Sequence, residues 1–300
     1  ISNWFTKSER SRANTFLILG NPVTVLWMSV LSGYLIQALG WREMFILEGF
    51  PAVLWAFYWW KTARDKPQQV NWLTQQEKDD LNEIMVNEQK NIKPVRNYAE
   101  AFKSRNVILL CAQYFCWSIG VYGFVLWLPS IIRGASNMGM VQTGWLSSVP
   151  YLAATIAMIT VSWLSDRMQN RKLFVWPMLL IGAICFLGSF LLGTDNFWLS
   201  YTLLVIAGAS MYAPYGPFFA IIPEMLPKNV AGGAMALINS MGALGSFIGS
   251  WVVGYLNGAT GSPGASYIFM GSALFVSVIL TLIVKPNADE QSAHSLPQAA

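Results

Sequence analysis

The sequence Ser165-Asp166-Arg167-Met168-Gln169-Asn170-Arg171-Lys172 connects two long apolar stretches, residues 142–164 and 173–193. Neither stretch contains Asp, Glu, Lys or Arg. A carboxylate in such a tight connection can cap the start of a neighbouring helix, and the bases can pair with acids or with helix carboxyl ends. Ordinary positive charges beside a membrane would explain Arg171 and Lys172, but they would not explain the Asp166-Arg167 pair. We therefore expect Asp166 and Arg167 to act in gating, because loss of their contacts would loosen the helix packing at the end of the bundle where this connection lies.

Apolar stretches of this kind recur along the whole chain. A helix of about 20 uncharged residues crosses the bilayer core and satisfies its own backbone hydrogen bonds there. Eight stretches qualify: 13–39, 44–60, 107–132, 142–164, 173–193, 197–222, 229–256 and 266–284. Only the second contains a charged residue, Glu48. The chain is 11% charged, about half the fraction usual in soluble domains. The sequence therefore predicts an all-α integral membrane protein with eight transmembrane helices.

The positions of the basic residues predict how these spans are oriented. If the segments alternate across the membrane, 17 of the 19 Lys and Arg fall on one side, and only Arg42 and Arg133 on the other. The positive-inside rule places the crowded side in the cytoplasm. Both ends of this chain and the segment 61–106 should then be cytoplasmic. The net charge of +4 is thus a topology signal and requires no nucleic acid.

The spans fall into a pair and a group of six. Residues 1–60 hold two spans, 61–106 form a charged central loop, 107–284 hold six spans, and 285–300 form a tail. Within the loop, Thr74-Gln-Gln-Glu77 is typical of a capping box and predicts a short amphipathic helix after it. Two spans followed by six predict a transporter of two six-span halves whose first four spans precede this chain. A complete eight-span protein is the alternative.

Several segments resemble one family of membrane transporters. The Asp166–Lys172 connection is similar to the loop motif that the major facilitator superfamily repeats between spans 8 and 9, so the resemblance implies that spans 5–12 of twelve are present. Three more segments resemble the anion:cation symporter family within that superfamily: Trp4–Ala13, Gly40–Phe45, and Gly216–Pro227 with Ala231–Gly242. Thr6 stands where that family usually has Pro, a change that a loop tolerates.

The resemblance extends over nearly the whole chain and also implies a function. It implies a monomeric symporter in the bacterial inner membrane that takes up an organic anion together with protons. The cargo it implies is a sugar acid such as a galactonate-like hexonate or a hexuronate. A carrier for another small carboxylate or a phosphate ester, or for a neutral sugar or a drug, remains an alternative.

Polar and aromatic residues inside the apolar spans are the candidates for substrate contact, since such residues tend to face the bundle interior. Gln113 and Tyr114 lie a little inside the third span, and Asn239 lies at the middle of the seventh. By resemblance, Gln113 and Asn239 match substrate-contacting amides of the sugar-acid symporters, and Phe219 stands where several relatives have a site tryptophan. A helix–helix hydrogen bond is the alternative for each amide, and simple packing for Phe219.

Two features of these spans predict helix geometry. The tract Tyr212–Phe219 contains Pro214 and Pro217, and we expect an interrupted helix there. Gly242, Gly245 and Gly249 are spaced for close helix packing.

Other function classes lack the residues that they need. No Cys or His spacing is typical of a metal or redox site, and Cys111, Cys116 and Cys185 all lie inside spans. The sequence therefore predicts no metal, no cofactor and no enzyme activity. A channel would need a ring of pore-lining charges, and these spans offer none. For Glu48, an acid near a span end, we expect a structural role.

Overall fold

The computed structural model of the chain describes residues 3–90, 97–136, 140–192, 196–261 and 264–284. The regular structure in these ranges is helical. Two long helices come first, α1 (Arg10–Leu39) and α2 (Trp41–Thr62), and the loop that follows carries α3 (Gln75–Lys90) and α4 (Tyr98–Lys103). Seven helices complete the bundle: α5 (Arg105–Ser136), α6 (Met140–Met168), α7 (Trp176–Leu192), α8 (Phe197–Tyr212), α9 (Tyr215–Met225), α10 (Lys228–Thr260) and α11 (Gly264–Ile283). The predicted tail, 285–300, lies outside the described residues.

Six segments of the described chain are long and apolar enough to cross a membrane: 105–134, 142–168, 172–192, 197–225, 229–260 and 264–283. They coincide with the six spans predicted for residues 107–284, with α8 and α9 forming one segment. The helices α1 and α2 match the two remaining predicted spans and contain 30 and 22 residues, which is long enough to cross. They are outside that set of six, so their crossing of the membrane stays a prediction.

The interruption expected at the proline-rich tract is present. α8 ends at Tyr212 and α9 begins at Tyr215, so the helix breaks at Ala213 and Pro214. Pro214 has no N–H to donate to the preceding turn, and its ring crowds the carbonyl four residues earlier. The second proline, Pro217, lies in the first turn of α9, where a missing N–H does little harm.

Close contact between α5 and α10 rests on the glycines predicted to serve helix packing. A Cβ atom added at Gly245 or Gly249 would come within 3.0 Å of the α5 backbone, at Phe115 and Ile119 respectively. At Gly242 the added atom would meet the ring of Tyr114. A backbone cannot move aside as a side chain can, so only glycine permits this approach.

A second tight junction joins α1 to the six-span group. α1 packs on α6 and α9, and Gly216 of α9 lies where the three helices meet. A Cβ at Gly216 would collide with Thr15 of α1 and Ser162 of α6, whose hydroxyls share a hydrogen bond. α2, in contrast, packs on α1, and Met44 is its one buried residue among those described. Its other apolar side chains are exposed on the surface of the described chain.

The described part of the loop between α2 and α5 makes defined contacts. Its capping box forms as predicted: the carboxylate of Glu77 accepts from the backbone N–H and the hydroxyl of Thr74, each at 2.8 Å. The indole of Trp4 stacks on Trp72 with ring centroids 5.8 Å apart. Glu88 of α3 then accepts from the Arg10 guanidinium at 2.9 Å. These contacts attach α3 to the start of α1.

Candidate functional site

The Asp166 carboxylate caps the amino-terminal end of α1. Its two oxygens accept from the backbone N–H groups of Ser11 (3.2 Å) and Arg12 (2.9 Å), which have no partner inside α1 because they lie in its first turn. The Arg12 side chain adds an ion pair at 3.1 Å. The cap expected for a carboxylate in this connection is therefore present, and α1 is the helix that it caps.

Arg171 is the second centre of the same contacts. The bases of this connection were expected to pair with acids or with helix carboxyl ends, and the Arg171 side chain, which is 1% exposed, pairs with Asp166 at 2.6 Å and with Glu224 at 3.2 Å. Ordinary surface charge therefore does not account for Arg171. Its side chain also donates to the backbone carbonyl of Lys7 at 2.5 Å. The backbone at Gln169 adopts a left-handed conformation with φ of 52°, which ends α6 and lets the chain turn back.

We call the set Arg12, Asp166, Arg171 and Glu224 the polar network. It joins α1, from the leading pair of helices, to α6 and α9 of the six-span group. Hydrogen bonds to charged groups each contribute about 1.5–3 kcal/mol, and removing one member of a buried ion pair leaves its partner without compensation. The network therefore holds this end of the bundle together.

Two neighbouring bases have different surroundings. The Lys172 ammonium lies 2.7 Å from the carbonyl oxygen of Leu282 and 2.6 Å from that of Val284, at the carboxyl end of α11, where a positive charge is favourable. Arg167 forms no ion pair within the described part of the chain, and its guanidinium lies 5.5 Å from the ring centroid of Trp163. Its gating role stays a prediction.

Glu224 is a buried acid that the sequence interpretation overlooked. Glu48 is the single acid within the eight apolar stretches, but Glu224 lies in the span 197–225 and its side chain is 8% exposed. Glu224 lies two residues beyond the apolar stretch 197–222. Its apolar neighbours on both sides, Ile222-Pro223 and Met225-Leu226, could have indicated from the sequence that it is buried. Glu48 itself accepts a hydrogen bond from Ser32 of α1 at 2.6 Å, and its structural role stays a prediction.

Five aromatic residues of α5 and α9 pack together deeper in the six-span group, and we call them the aromatic cluster. Its members are Tyr114, Trp117, Tyr215, Phe218 and Phe219. The Tyr114 ring stacks on Phe218 at 5.2 Å and meets Phe219 edge-on at 5.4 Å, and Trp117 lies 4.4 Å from Tyr215. The structure thus brings the predicted residues Tyr114 and Phe219 together. Trp117 was missed, although it follows Tyr114 by one helical turn on the same face.

Gln113 lies beside this cluster and lacks polar partners. Its side chain is fully buried, and neither its amide nitrogen nor its amide oxygen has a hydrogen-bond partner. Leaving a buried polar group unsatisfied costs about 1–3 kcal/mol. The alternative considered for Gln113, a helix–helix hydrogen bond through its side chain, is thus not formed, although its backbone carbonyl accepts from Ser277 of α11 at 3.1 Å.

Asn239 occupies a different position from the other candidates. It lies on α10, one turn before Gly242, which packs against the Tyr114 ring. The Asn239 side chain is exposed on the surface of the described chain. The structure therefore does not bring Asn239 into the aromatic cluster. No group of three metal-ligating side chains occurs among the described residues.

Comparison with known proteins shows the family. The model of the Major Facilitator Superfamily matches residues 1–250 and 137–299, so the chain belongs to this superfamily. Its fold is similar to that of the proton:xylose symporter XylE bound to 6-bromo-6-deoxy-D-glucose, with a TM-score of 0.69 over 98% of this chain and 68% of that one, at 14% identity. The protein is therefore a multi-pass membrane transporter and not an enzyme.

Three curated relatives are named for different cargoes. A quinolone resistance transporter of Acinetobacter baumannii is 27% identical over 99% of this chain and 70% of its own length. A putative tartrate transporter of Agrobacterium vitis has the same identity and coverage. A probable galactarate/D-glucarate transporter of Bacillus subtilis is 23% identical over 95% of this chain and 65% of its own length. The chain thus spans about two thirds of the length of these relatives.

Proposed function

We propose that the protein is a secondary transporter for proton-coupled uptake of a small organic anion, with a sugar acid such as a hexonate or hexuronate as its cargo. The observation that supports this most is Gln113, a fully buried amide with unused donors and acceptor beside a cluster of aromatic rings. An amide can donate to a carboxylate and accept from hydroxyls. The aromatic faces can pack on a sugar ring. Relatives named for tartrate and for galactarate/D-glucarate transport agree with a polyhydroxylated acid.

The substrate-contacting set in this proposal is Gln113, Tyr114, Phe219 and Asn239. Substrate reaches the first three when α5 and α9 part at the aromatic cluster, since rings in contact leave no room for a sugar. Asn239 would contact substrate from the exposed face of α10. We place the site between this six-span group and a first half that includes α1 and α2, because transporters of this kind bind substrate between their halves.

The polar network is the proposed gate on the cytoplasmic side. Here it is intact, and it holds α1 against α6 and α9. Opening towards the cytoplasm then requires Asp166 to release the start of α1. Both ends of this chain lie on that side in the proposal, in the bacterial inner membrane, and the carrier works as a monomer.

Counterflow measures the cargo directly. The complete carrier, reconstituted in liposomes preloaded with unlabelled galactonate, should accumulate labelled galactonate. Tartrate, glucarate and glucuronate should compete, and glucose should not. An imposed inward proton gradient should drive net uptake, and a protonophore should abolish it. Competition by glucose alone, or uptake indifferent to the gradient, would contradict the proposal.

A drug carrier is the second candidate. The quinolone resistance relative and the aromatic cluster favour it, since stacked rings suit a flat aromatic compound. The same counterflow assay separates the two functions. A quinolone that competes where the sugar acids fail would establish the second function and contradict the first.

A further inference from the structure

A pocket of about 500 Å³ lies beside α3, apart from the aromatic cluster and outside the six spans. Three segments of the chain form it: Asn3 comes from the amino-terminal segment, Lys66 and Gln68 from the loop after α2, and Lys78 and Asn82 from α3. Ligand pockets for small molecules usually measure about 300–1,000 Å³. This pocket is therefore large enough for a small metabolite or a lipid headgroup.

The charge of the pocket is uncompensated. Its lining contains two lysines and no acid. Neither Lys66 nor Lys78 forms an ion pair among the described residues, whereas Arg10, Arg12 and Arg171 all do. The pocket therefore presents two positive charges with no protein counter-charge in its wall.

The acids closest in sequence to Lys78 are engaged elsewhere. The Glu77 carboxylate accepts from Thr74 in the capping box, and the Asp79 carboxylate accepts from the amide of Gln75 at 3.0 Å. Neither of these acids lines the pocket. An incoming anion would thus meet the two ammonium groups without first displacing a carboxylate.

We propose that this pocket binds a small phosphate-bearing anion. A phosphate monoester carries about −1.5 to −2 charges at pH 7, which matches two lysines. Lysine binds phosphate as a point charge, and arginine is favoured where a carboxylate or a phosphate is recognised through two parallel hydrogen bonds. The side-chain amides of Gln68 and Asn82 supply further donors and acceptors, and the Asn3 amide, whose nitrogen already donates to the backbone carbonyl of Asp65 at 3.3 Å, lies beside them. A phosphorylated metabolite and an acidic phospholipid headgroup share this chemistry.

Occupancy of the pocket would act on the polar network through α3. The side chains of Leu81 and Met85 form part of the pocket, and Glu88 on the same helix pairs with Arg10 of α1. The backbone N–H of Lys7 also donates to Glu88, at 2.6 Å. An anion bound to all three segments would favour the state in which they lie together, because a ligand stabilises the conformation that it binds. The anion is thus a regulator that favours the closed gate.

Binding can be tested without transport. The complete carrier is placed in nanodiscs of phosphatidylcholine and titrated calorimetrically with pyrophosphate. We expect saturable binding that the double variant Lys66→Gln/Lys78→Gln weakens by about tenfold or more. The matched control is Lys61→Gln/Lys90→Gln, which removes the same charge from the same region outside the pocket. It should change affinity by less than about twofold, since distant charges are screened by salt.

A lipid arm identifies the source of the phosphate. Carrier in discs containing phosphatidylglycerol is examined by native mass spectrometry. If the parent retains phosphatidylglycerol and the Lys66→Gln/Lys78→Gln variant loses it, the occupant is a lipid headgroup. Pyrophosphate binding without selective lipid retention assigns the pocket to a soluble anion. Absence of both, or equal losses in the control variant, would overturn the proposal whatever the transport assay shows.

Discussion

At the residue scale, Asp166 serves four donors at once. They are two backbone N–H groups at the start of α1 and the guanidinium groups of Arg12 and Arg171. A carboxylate can accept that many hydrogen bonds because each oxygen has two lone pairs. The cap of α1 and the ion pairs with the two arginines thus all depend on the Asp166 side chain. A single substitution that neutralises Asp166 weakens the cap and the ion pairs together.

Asp166→Asn in the complete carrier should favour the inward-open state. The amide keeps the shape of the carboxylate but has one acceptor oxygen and no charge, so the start of α1 is released. Hydrogen exchange should quicken in peptides covering residues 8–16 and slow at the opposite end of the bundle, around 40–46 and 258–261. Faster exchange at 8–16 alone would show local fraying and contradict gating. Arg167→Gln is measured for comparison. If it changes hydrogen exchange at both ends of the bundle as much as Asp166→Asn does, that result would favour the gating role expected for Arg167.

Asn239→Ala should weaken the apparent affinity for the anion in the complete carrier. A lost hydrogen bond to a charged ligand is worth about 1.5–3 kcal/mol, or roughly ten- to a hundredfold in KM. Ser240→Ala is a matched control, because Ser240 is also exposed and its hydroxyl donates to Ala236 of its own helix. Uptake kinetics should change in the first variant alone. Unchanged KM in Asn239→Ala at normal expression would remove Asn239 from the site.

At the element scale, the contact between α5 and α10 depends on glycines, because these residues have no side chain to keep the helices apart. Gly245 and Gly249 bring the two helix backbones together, and van der Waals packing rather than the hydrophobic effect drives such association in lipid. Gly258 lies on the same helix near its end, and a Cβ there would meet nothing within 4 Å. The chain therefore offers a matched pair of glycines for a stability test.

Gly245→Ala should destabilise the bundle by about 1–3 kcal/mol, because the new methyl group would press on the Phe115 backbone. Gly258→Ala should be neutral or slightly stabilising, since alanine is the better helix former by about 1 kcal/mol. Thermal unfolding in detergent, followed by thiol labelling of the buried Cys111 and Cys185, measures both variants. Equal unfolding temperatures would show that α10 can shift away from α5 without cost.

The α3 capping box gives a pH prediction. Hydrogen bonds from the backbone N–H and then the hydroxyl of Thr74 lower the pKa of Glu77 below its usual value. The stability that this carboxylate gives to α3 is therefore present above the usual pKa and is lost as the pH falls through the lowered one. Thr74→Ala should raise the pKa of Glu77, and Gln76→Ala should not. Carbon NMR of labelled glutamate measures the pKa of Glu77 in each protein, and the Glu77→Gln variant identifies its signal. An equal pKa in the parent, Thr74→Ala and Gln76→Ala would show that Thr74 does not lower the pKa of Glu77.

At the scale of the whole molecule, the described chain has an uneven distribution of charge. Arg10 and Arg171 are buried arginines of the described residues, and both are already paired, Arg10 with Glu88 and Arg171 with Asp166 and Glu224. An anionic substrate in a low-dielectric site needs a compensating positive charge of its own. No lysine or arginine occurs in the apolar blocks of the six-span group. The aromatic cluster and Gln113 could therefore hold a sugar, but they do not neutralise its carboxylate.

These 300 residues alone should not transport. We expect the pairing cation and the proton-carrying acid to lie outside these residues. Reconstituted alone, with labelled hexonate and an imposed proton gradient, the chain should show no saturable uptake, and the complete carrier measured in parallel should show it. Gradient-driven uptake by the 300 residues would place both groups within them.

The sequence by itself determined the helices and their order. Long uncharged stretches become helices in lipid because a helix satisfies its own backbone hydrogen bonds there. The observed helices match the eight stretches with most ends within about a turn, and the stretch 197–222 is divided between α8 and α9. Local rules also sufficed for the capping box at Thr74, the break at Pro214 and the close-packing glycines. Each of these depends on neighbours within a few residues or on the absence of a side chain.

Only the tertiary structure decided which charges meet. Arg171 and Glu224 are 53 residues apart in sequence, and Asp166 finds its backbone donors 154 and 155 residues away. The positions of Lys and Arg in the sequence predicted a surplus of basic residues on the cytoplasmic side of the membrane. They could not distinguish a solvated base from one that is buried beside an acid. That distinction depends on the packing of α1 against α6 and α9, because burial removes the water that would otherwise satisfy the charge.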